Sequence, residues 1–102
     1  MRIEKGDKET VIYIEGRIDI STSTGFKSKV LSLIEEGEKI ICLDFTDVTG
    51  VDSSGLGKLL LFQKQLAEKD GKLRIRNVKS EYVRKIFSLV HLYKIIDIED
   101  FS

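Results

Sequence analysis

The chain has 102 residues, enough for one domain of ordinary small size, residues 1–102, that buries roughly two thirds of its unfolded surface. Its 17 Lys and Arg balance 17 Asp and Glu, and a formal charge of zero argues against a polyanion binder held to nucleic acid or lipid by a basic face. No apolar run reaches about 18 residues and no charged-then-apolar leader is present, so the expectation is a soluble cytoplasmic protein without membrane span or signal peptide. Cys42, the single cysteine, sits in an apolar run and reads as a buried, inert thiol, with no disulfide framework or thiolate metal site. The charged fraction of 33% would suit a thermophile, with the absence of loop prolines counting the other way.

Arg2 to Lys5, a Gly6-Asp7 turn and the alternating Val11 to Glu15 predict a β-hairpin. Gly16 to Ile20 leads out of the second strand. Ser21 to Thr24 then offers several N-caps for a helix whose apolar stripe is Phe26, Val30, Leu33 and Ile34, closed by Gly37. Lys39 to Phe45 is nearly continuous in apolar residues, as for an inner strand covered on both faces, and a helix crossing before it makes it parallel to the second strand. A second helix follows, with Leu56, Leu59, Leu60, Leu61, Phe62, Leu66 and Ala67 on a broad apolar face that predicts deep burial. Lys72 to Arg76 alternates strictly and predicts a strand at or near an edge, whose Lys72, Arg74 and Arg76 give solubility and edge protection. Ser80 caps a last helix with Val83, Ile86, Phe87 and Val90 inward and Arg84 and Lys85 outward, and Ile95 to Ile98 is a short strand or a tail. The order ββαβαβα predicts an α/β fold, a mixed and mostly parallel sheet with helices packed on it.

The stretch with chemical content is Thr46 to Lys58, T-D-V-T-G-V-D-S-S-G-L-G-K, the junction between the inner strand and the second helix, in which Thr46 to Ser54 reads as loop. One of Asp52, Ser53 and Ser54 caps that helix and the others lie at its exposed mouth, where unpaired N–H groups and a partial positive charge favour an anion. Parallel strands deliver their C-terminal ends to one edge, so Asp19 to Thr24 and Thr46 to Ser54 are expected as neighbours on a binding surface. Gly55 and Gly57 each cost up to about 1 kcal/mol in a first helical turn, which close approach or packing must offset; packing is expected at Gly57. Lys58 reads as part of a solvated helix face.

From Asp52-Ser53-Ser54-Gly55-Leu56-Gly57 the chain resembles the anti-sigma factor antagonists, the single-domain members of the STAS family. Glu15-Gly16-Arg17-Ile18-Asp19 is similar to that family's G-x-[LI]-D segment and Val83 to Ile96 to its V-x-x-[IL]-F…L-x-x-[IL]-[IL] ending, so nearly the whole chain is covered; His91 stands where many relatives have a small residue. The resemblance implies that Ser53 accepts phosphate from a partner that is both anti-sigma factor and serine kinase. It also implies that the unphosphorylated form binds this partner and frees the sigma factor, that phosphorylation releases it, and that a serine phosphatase resets the switch. Asp19, Ser21, Thr22, Asp52, Ser54, Gly55 and Leu56 are the implied partner surface, with no cofactor, metal, nucleic acid or membrane involved.

Each residue has a plainer reading beside this one. Ser53 and Ser54 serve as N-caps worth about 1 kcal/mol; Asp52 is a capping carboxylate or a group that orients Ser53 or a metal in a kinase site; Asp19 is a solvated loop carboxylate or a partner contact. The alternative function is a constitutive STAS scaffold or a domain sensing a nucleotide or acyl group. Enzyme motifs fail: a Walker A loop needs glycine where Asp52 stands and Ser or Thr where Leu59 stands, and G-V-D-S-S-G is not G-x-S-x-G. His91, the single histidine, reads as a helix-end residue, and no catalysis is expected.

Overall fold

The computed structural model describes residues 1–19 and 23–101, with the side chains of all of these except Ser23 and Thr24. Along the chain lie β1 (Arg2–Lys5), β2 (Thr10–Ile18), α1 (Ser23–Glu35), β3 (Ile40–Val51), α2 (Ser53–Glu68), β4 (Lys72–Arg76), α3 (Glu81–Leu89), a 3-10 turn (Leu92–Lys94) and β5 (Asp97–Ile98). The α/β expectation holds, and the tail forms a short strand. The sheet order is β1-β2-β3-β4-β5, with β1 antiparallel to β2 and every later pair parallel.

Because β2 to β5 advance in one direction across the sheet, right-handed crossovers put all three helices on one face. Their buried residues, among them Val30, Leu33, Phe62, Leu66, Val83 and Phe87, share one core with Ile12, Ile41, Leu43, Phe45, Leu73 and Ile75. The Phe62 ring meets Phe26 edge-on at 5.3 Å, and Phe45 packs against Phe87 at 5.9 Å. α1 ends as expected at Gly37: its φ of 101° lets the Gly37 and Glu38 N–H groups donate to the carbonyls of Ile34 and Leu33. Ser80 caps α3, its hydroxyl accepting from the Val83 N–H at 3.2 Å.

β3 is covered on both faces as expected, but among the described residues helices lie on only one of them. Strand alternation turns Cys42 and Asp44 to the opposite face, in register with Arg74 and Arg76 of β4. Both are nonetheless buried, Asp44 at 4% exposure. The cover there comes from the side chains of neighbouring strands: Arg76 Nε donates to Asp44 Oδ2 at 2.9 Å and its second nitrogen to the Tyr13 hydroxyl at 3.1 Å. Arg74 pairs with Glu9 and Asp97, and Lys72 with Asp97. β4 lies next to the edge, covered there by β5, and its basic strip serves to close the helix-free face. Burial pushes the Cys42 thiol up to about 11, which keeps it protonated and inert.

Two helical stripes are narrower than their apolar content suggests. Leu60 on α2 and Val90 beyond α3 are exposed, Ala67 faces out, and α2 buries Gly55, Leu59, Phe62 and Leu66. A two-layer fold asks one stripe of each helix to face the sheet, so a fourth apolar column stays wet.

Candidate functional site

The segment read as a loop, Thr46 to Val51, is strand. β3 runs on to Val51, and β2 keeps pace through Gly16, Arg17 and Ile18 rather than ending at Glu15. Glu15 pairs with Asp47, Gly16 with Val48, Arg17 with Gly50 and Ile18 with Val51, with register shifts after Tyr13 and after Gly16. Each shift inserts an extra β3 residue, which twists the pair and hides the two-residue period from the sequence.

Asp44 anchors the start of this irregular stretch. Its carboxylate accepts from the Thr46 N–H at 2.9 Å, the Thr46 hydroxyl at 2.6 Å, Arg76, and the Asn77 amide at 2.9 Å. Burial alone would raise its pKa. The hydrogen bonds from Thr46, Arg76 and Asn77 outweigh that and hold the carboxyl at about 2. Sequence reasoning missed this residue, although a carboxylate inside an apolar run was the signal, since a buried charge needs a partner.

The two strand ends meet as expected: the Asp52 N–H donates to the Ile18 carbonyl at 3.3 Å, which sets the β2 end with half-buried Asp19 beside the start of α2. Asp19 also lies 3.6 Å from Arg17. Ile20, Ser21 and Thr22 lie outside the described residues.

Asp52 is the N-cap of α2, accepting from the Gly55 N–H at 2.8 Å. Its capping reading is the one the geometry displays. Ser53 and Ser54 are thereby the first two helical residues, and their own N–H groups meet no acceptor among the described residues. Ser53 is exposed. Ser54 is half-buried and its hydroxyl accepts from Lys58 Nζ at 3.2 Å, so Lys58 is engaged one turn along rather than simply solvated.

The packing glycine is Gly55, not Gly57. A Cβ on Gly55 would fall against the Ile18 carbonyl well inside van der Waals contact and press on Val51 and Ile18 side chains, whereas one on Gly57 would meet open space. α2 starts so close to the β2 end that only a hydrogen fits there. Leu56 follows, half-buried on the site side of the core.

Among the described residues no cluster of His, Cys, Asp and Glu could hold a metal ion, and no helix is long and apolar enough to cross a membrane. His91 ends α3 in a left-handed conformation and hydrogen-bonds the Tyr93 hydroxyl at 3.1 Å. Among the described residues the arrangement has an exposed hydroxyl on a capped helix start with no base held against it.

The family model of the STAS domain matches residues 1–101. The chain belongs to the STAS family. The anti-sigma-B factor antagonist of Bacillus subtilis (strain 168) is 30% identical over 97 residues, spanning 94% of this chain and 86% of that protein. An anti-sigma factor antagonist from Mycobacterium paratuberculosis shares the fold with a TM-score of 0.85 at 19% identity, over 98% of this chain and 84% of that one. The anti-sigma factor antagonist SpoIIAA does so in its unphosphorylated form, with a TM-score of 0.76 at 23% identity over 99% and 88%. Its phosphorylated form gives 0.74 at 24% identity over 95% and 88%. The STAS resemblance read from the residues is thus borne out, and with it the mostly parallel sheet.

Proposed function

We propose that this STAS chain is an anti-sigma factor antagonist whose grip on its partner is switched by phosphate on Ser53. The observation that carries the reading is the exposed Ser53 hydroxyl at the first position of α2, beside a cap already supplied by Asp52. The similarity to the anti-sigma-B factor antagonist supports the role, and the motif D-S-S-G supports the residue.

In this reading the domain is ligand and substrate, not enzyme. Unphosphorylated, it meets an anti-sigma factor with serine kinase activity through Asp19, Asp52, Ser54, Gly55 and Leu56, together with Ser21 and Thr22, and the sigma factor is freed. Phosphate adds about −1.5 to −2 charges at Ser53. The helix start tolerates it, returning about 0.3 to 1 kcal/mol. An interface fitted to a neutral hydroxyl meets instead a dianion beside Asp52 and Asp19, and like charge across an interface costs several kcal/mol. The partner leaves, and a serine phosphatase in the same cytoplasm restores the binding form.

The test is intact mass and peptide mapping after incubation with a cognate serine kinase and ATP, beside Ser53→Ala and Ser54→Ala. Added phosphate lost only in Ser53→Ala is the expected result. Phosphate that vanishes only in Ser54→Ala moves the switch by one residue, and none with any cognate kinase leaves a constitutive scaffold or ligand-binding STAS domain with Ser53 as a plain helix-start residue.

A further inference from the structure

Between the pairing of Tyr13 with Asp44 and that of Glu15 with Asp47, β2 advances by two residues and β3 by three, so β3 carries an inserted residue there. Phe45, next to Asp44, is fully buried on the helix face against Phe87. In an unbroken strand Asp47 would join Phe45 on that face and Val48 would turn away. The insertion reverses this. Val48 enters the core at 3% exposure, and Asp47 is exposed.

The reversal carries through to the next helix. A second insertion, between Val48 and Gly50, leaves Val51 in the core and in register with Ile18. These two residues are the floor on which α2 begins: a Cβ on Gly55 would press on the Val51 side chain and on the backbone and side chain of Ile18. The Asp52 N–H donates to the Ile18 carbonyl at the same place. Ser53 stands between that N-cap and Gly55, so where β3 sets Val51 decides where the Ser53 hydroxyl is presented.

Asp44 holds the first insertion in place. Its Oδ1 accepts from both the N–H and the hydroxyl of Thr46, two residues on, at 2.9 and 2.6 Å, which folds the chain over the inserted residue. Its Oδ2 accepts from Arg76 Nε and from the Asn77 amide, each at 2.9 Å. Asn77 is left-handed, with a φ of 57°, so the same carboxylate also ties down the chain as it leaves β4. An asparagine in place of Asp44 would present its NH2 group either to Thr46 or to Arg76 and Asn77, all of them donors, and one side of the hub would come apart.

We propose that Asp44 is a positioning residue for the Ser53 switch: by fixing the insertion in β3 it seats the start of α2, and so sets the pose in which the Ser53 hydroxyl meets a kinase. This rests on the reading of Ser53 as phosphoacceptor. In that transfer the Ser53 oxygen bonds to the γ-phosphorus of ATP, the bond from that phosphorus to the bridging oxygen breaks, ADP leaves with the electron pair, and the hydroxyl proton passes to a base of the kinase. Such a reaction depends chiefly on positioning, so a small displacement of the hydroxyl slows it steeply. Asp44 acts on it through the backbone between Thr46 and Asp52.

Wild type, Asp44→Asn and Leu73→Ala test this as full chains. Leu73 is fully buried but pairs with Ile41 at the other end of β3, so its truncation destabilises the fold without touching the insertion. In amide spectra Asp44→Asn should shift residues 46–56 and lose the cross-strand contact between Glu15 and Asp47, while Leu73→Ala leaves both unchanged. With a cognate serine kinase and ATP, kcat/KM for phosphate on Ser53 should fall about tenfold or more in Asp44→Asn and stay within about twofold of wild type in Leu73→Ala. If Asp44 only stabilised the fold, the two variants would behave alike. Shifts in Asp44→Asn confined to Thr46, Arg76 and Asn77, phosphorylation of Ser53 at the wild-type rate, or equal slowing in Leu73→Ala each overturn the proposal. Wild type that takes no phosphate sinks the Ser53 reading instead, and the amide spectra then decide by themselves whether Asp44 seats α2.

Discussion

On one face of β3, Ile41, Leu43 and Phe45 lie under three helices; on the other, Cys42 and Asp44 lie under the side chains of neighbouring strands. Both sets are buried, by different means. The helix face is held by removal of apolar area from water, which is non-directional and indifferent to pH. The open face is held by directed hydrogen bonds and ion pairs around Asp44 and Arg76, which depend on protonation and on geometry. A perturbation that tells these mechanisms apart should therefore report which face it touched.

The largest effect belongs to the helix face. Phe62→Ala removes a fully buried ring from between α2 and α1, and should cost about 3 to 5 kcal/mol, read as a shift in denaturant midpoint with little dependence on pH. Gly55→Ala follows at about 3 kcal/mol, because its new methyl meets the Ile18 backbone rather than a flexible side chain. Gly57→Ala, open on all sides, should be neutral or slightly stabilising in the same assay.

Asp44 is the corresponding test of the open face. Its folded pKa of about 2 lies below its ordinary value near 3.8, so ionised Asp44 contributes stability above about pH 4 that is lost as pH falls toward 2. The amount is about 2 kcal/mol. Asp44→Asn should lose that much near neutrality and show a flatter acid limb, measured by urea titration at several pH values. An unchanged acid limb would mean that the open face is not held by this carboxylate.

An effect smaller than that of Asp44 blurs the division from the other side. Thr10 places a hydroxyl on the helix face, fully buried and without a hydrogen-bond partner among the described residues. Thr10→Val keeps the shape and removes the orphaned group, and should stabilise by about 1 kcal/mol in thermal unfolding. A loss instead would show that the hydroxyl is satisfied in solution.

The same contrast explains what the residues disclosed beforehand. Elements with an unbroken period were legible: the α1 stripe, the strict alternation of β4, the Ser80 cap. The second half of β3 was not, because its inserted residues break the two-residue period and T-D-V-T-G-V then looks like loop composition. At the site, the capping role of a residue among Asp52, Ser53 and Ser54 followed from local chemistry, whereas the choice of Asp52, and of Gly55 over Gly57 as the packing glycine, depended on how closely β2 approaches. The Asp44 network joins residues on three strands, and no local pattern reports a pairing that the sheet register creates.

The spatial order of the strands is their order of synthesis. Each strand pairs with the one made just before it, through a hairpin or a single crossover helix, so no pairing waits for a distant part of the chain. Growth from the ribosome can thus extend the sheet one strand at a time, each newcomer covering the edge left by its predecessor. The outer half of β2 is the exception in this sequence of events, because β1, the strand beside it, is already made and is too short to reach it.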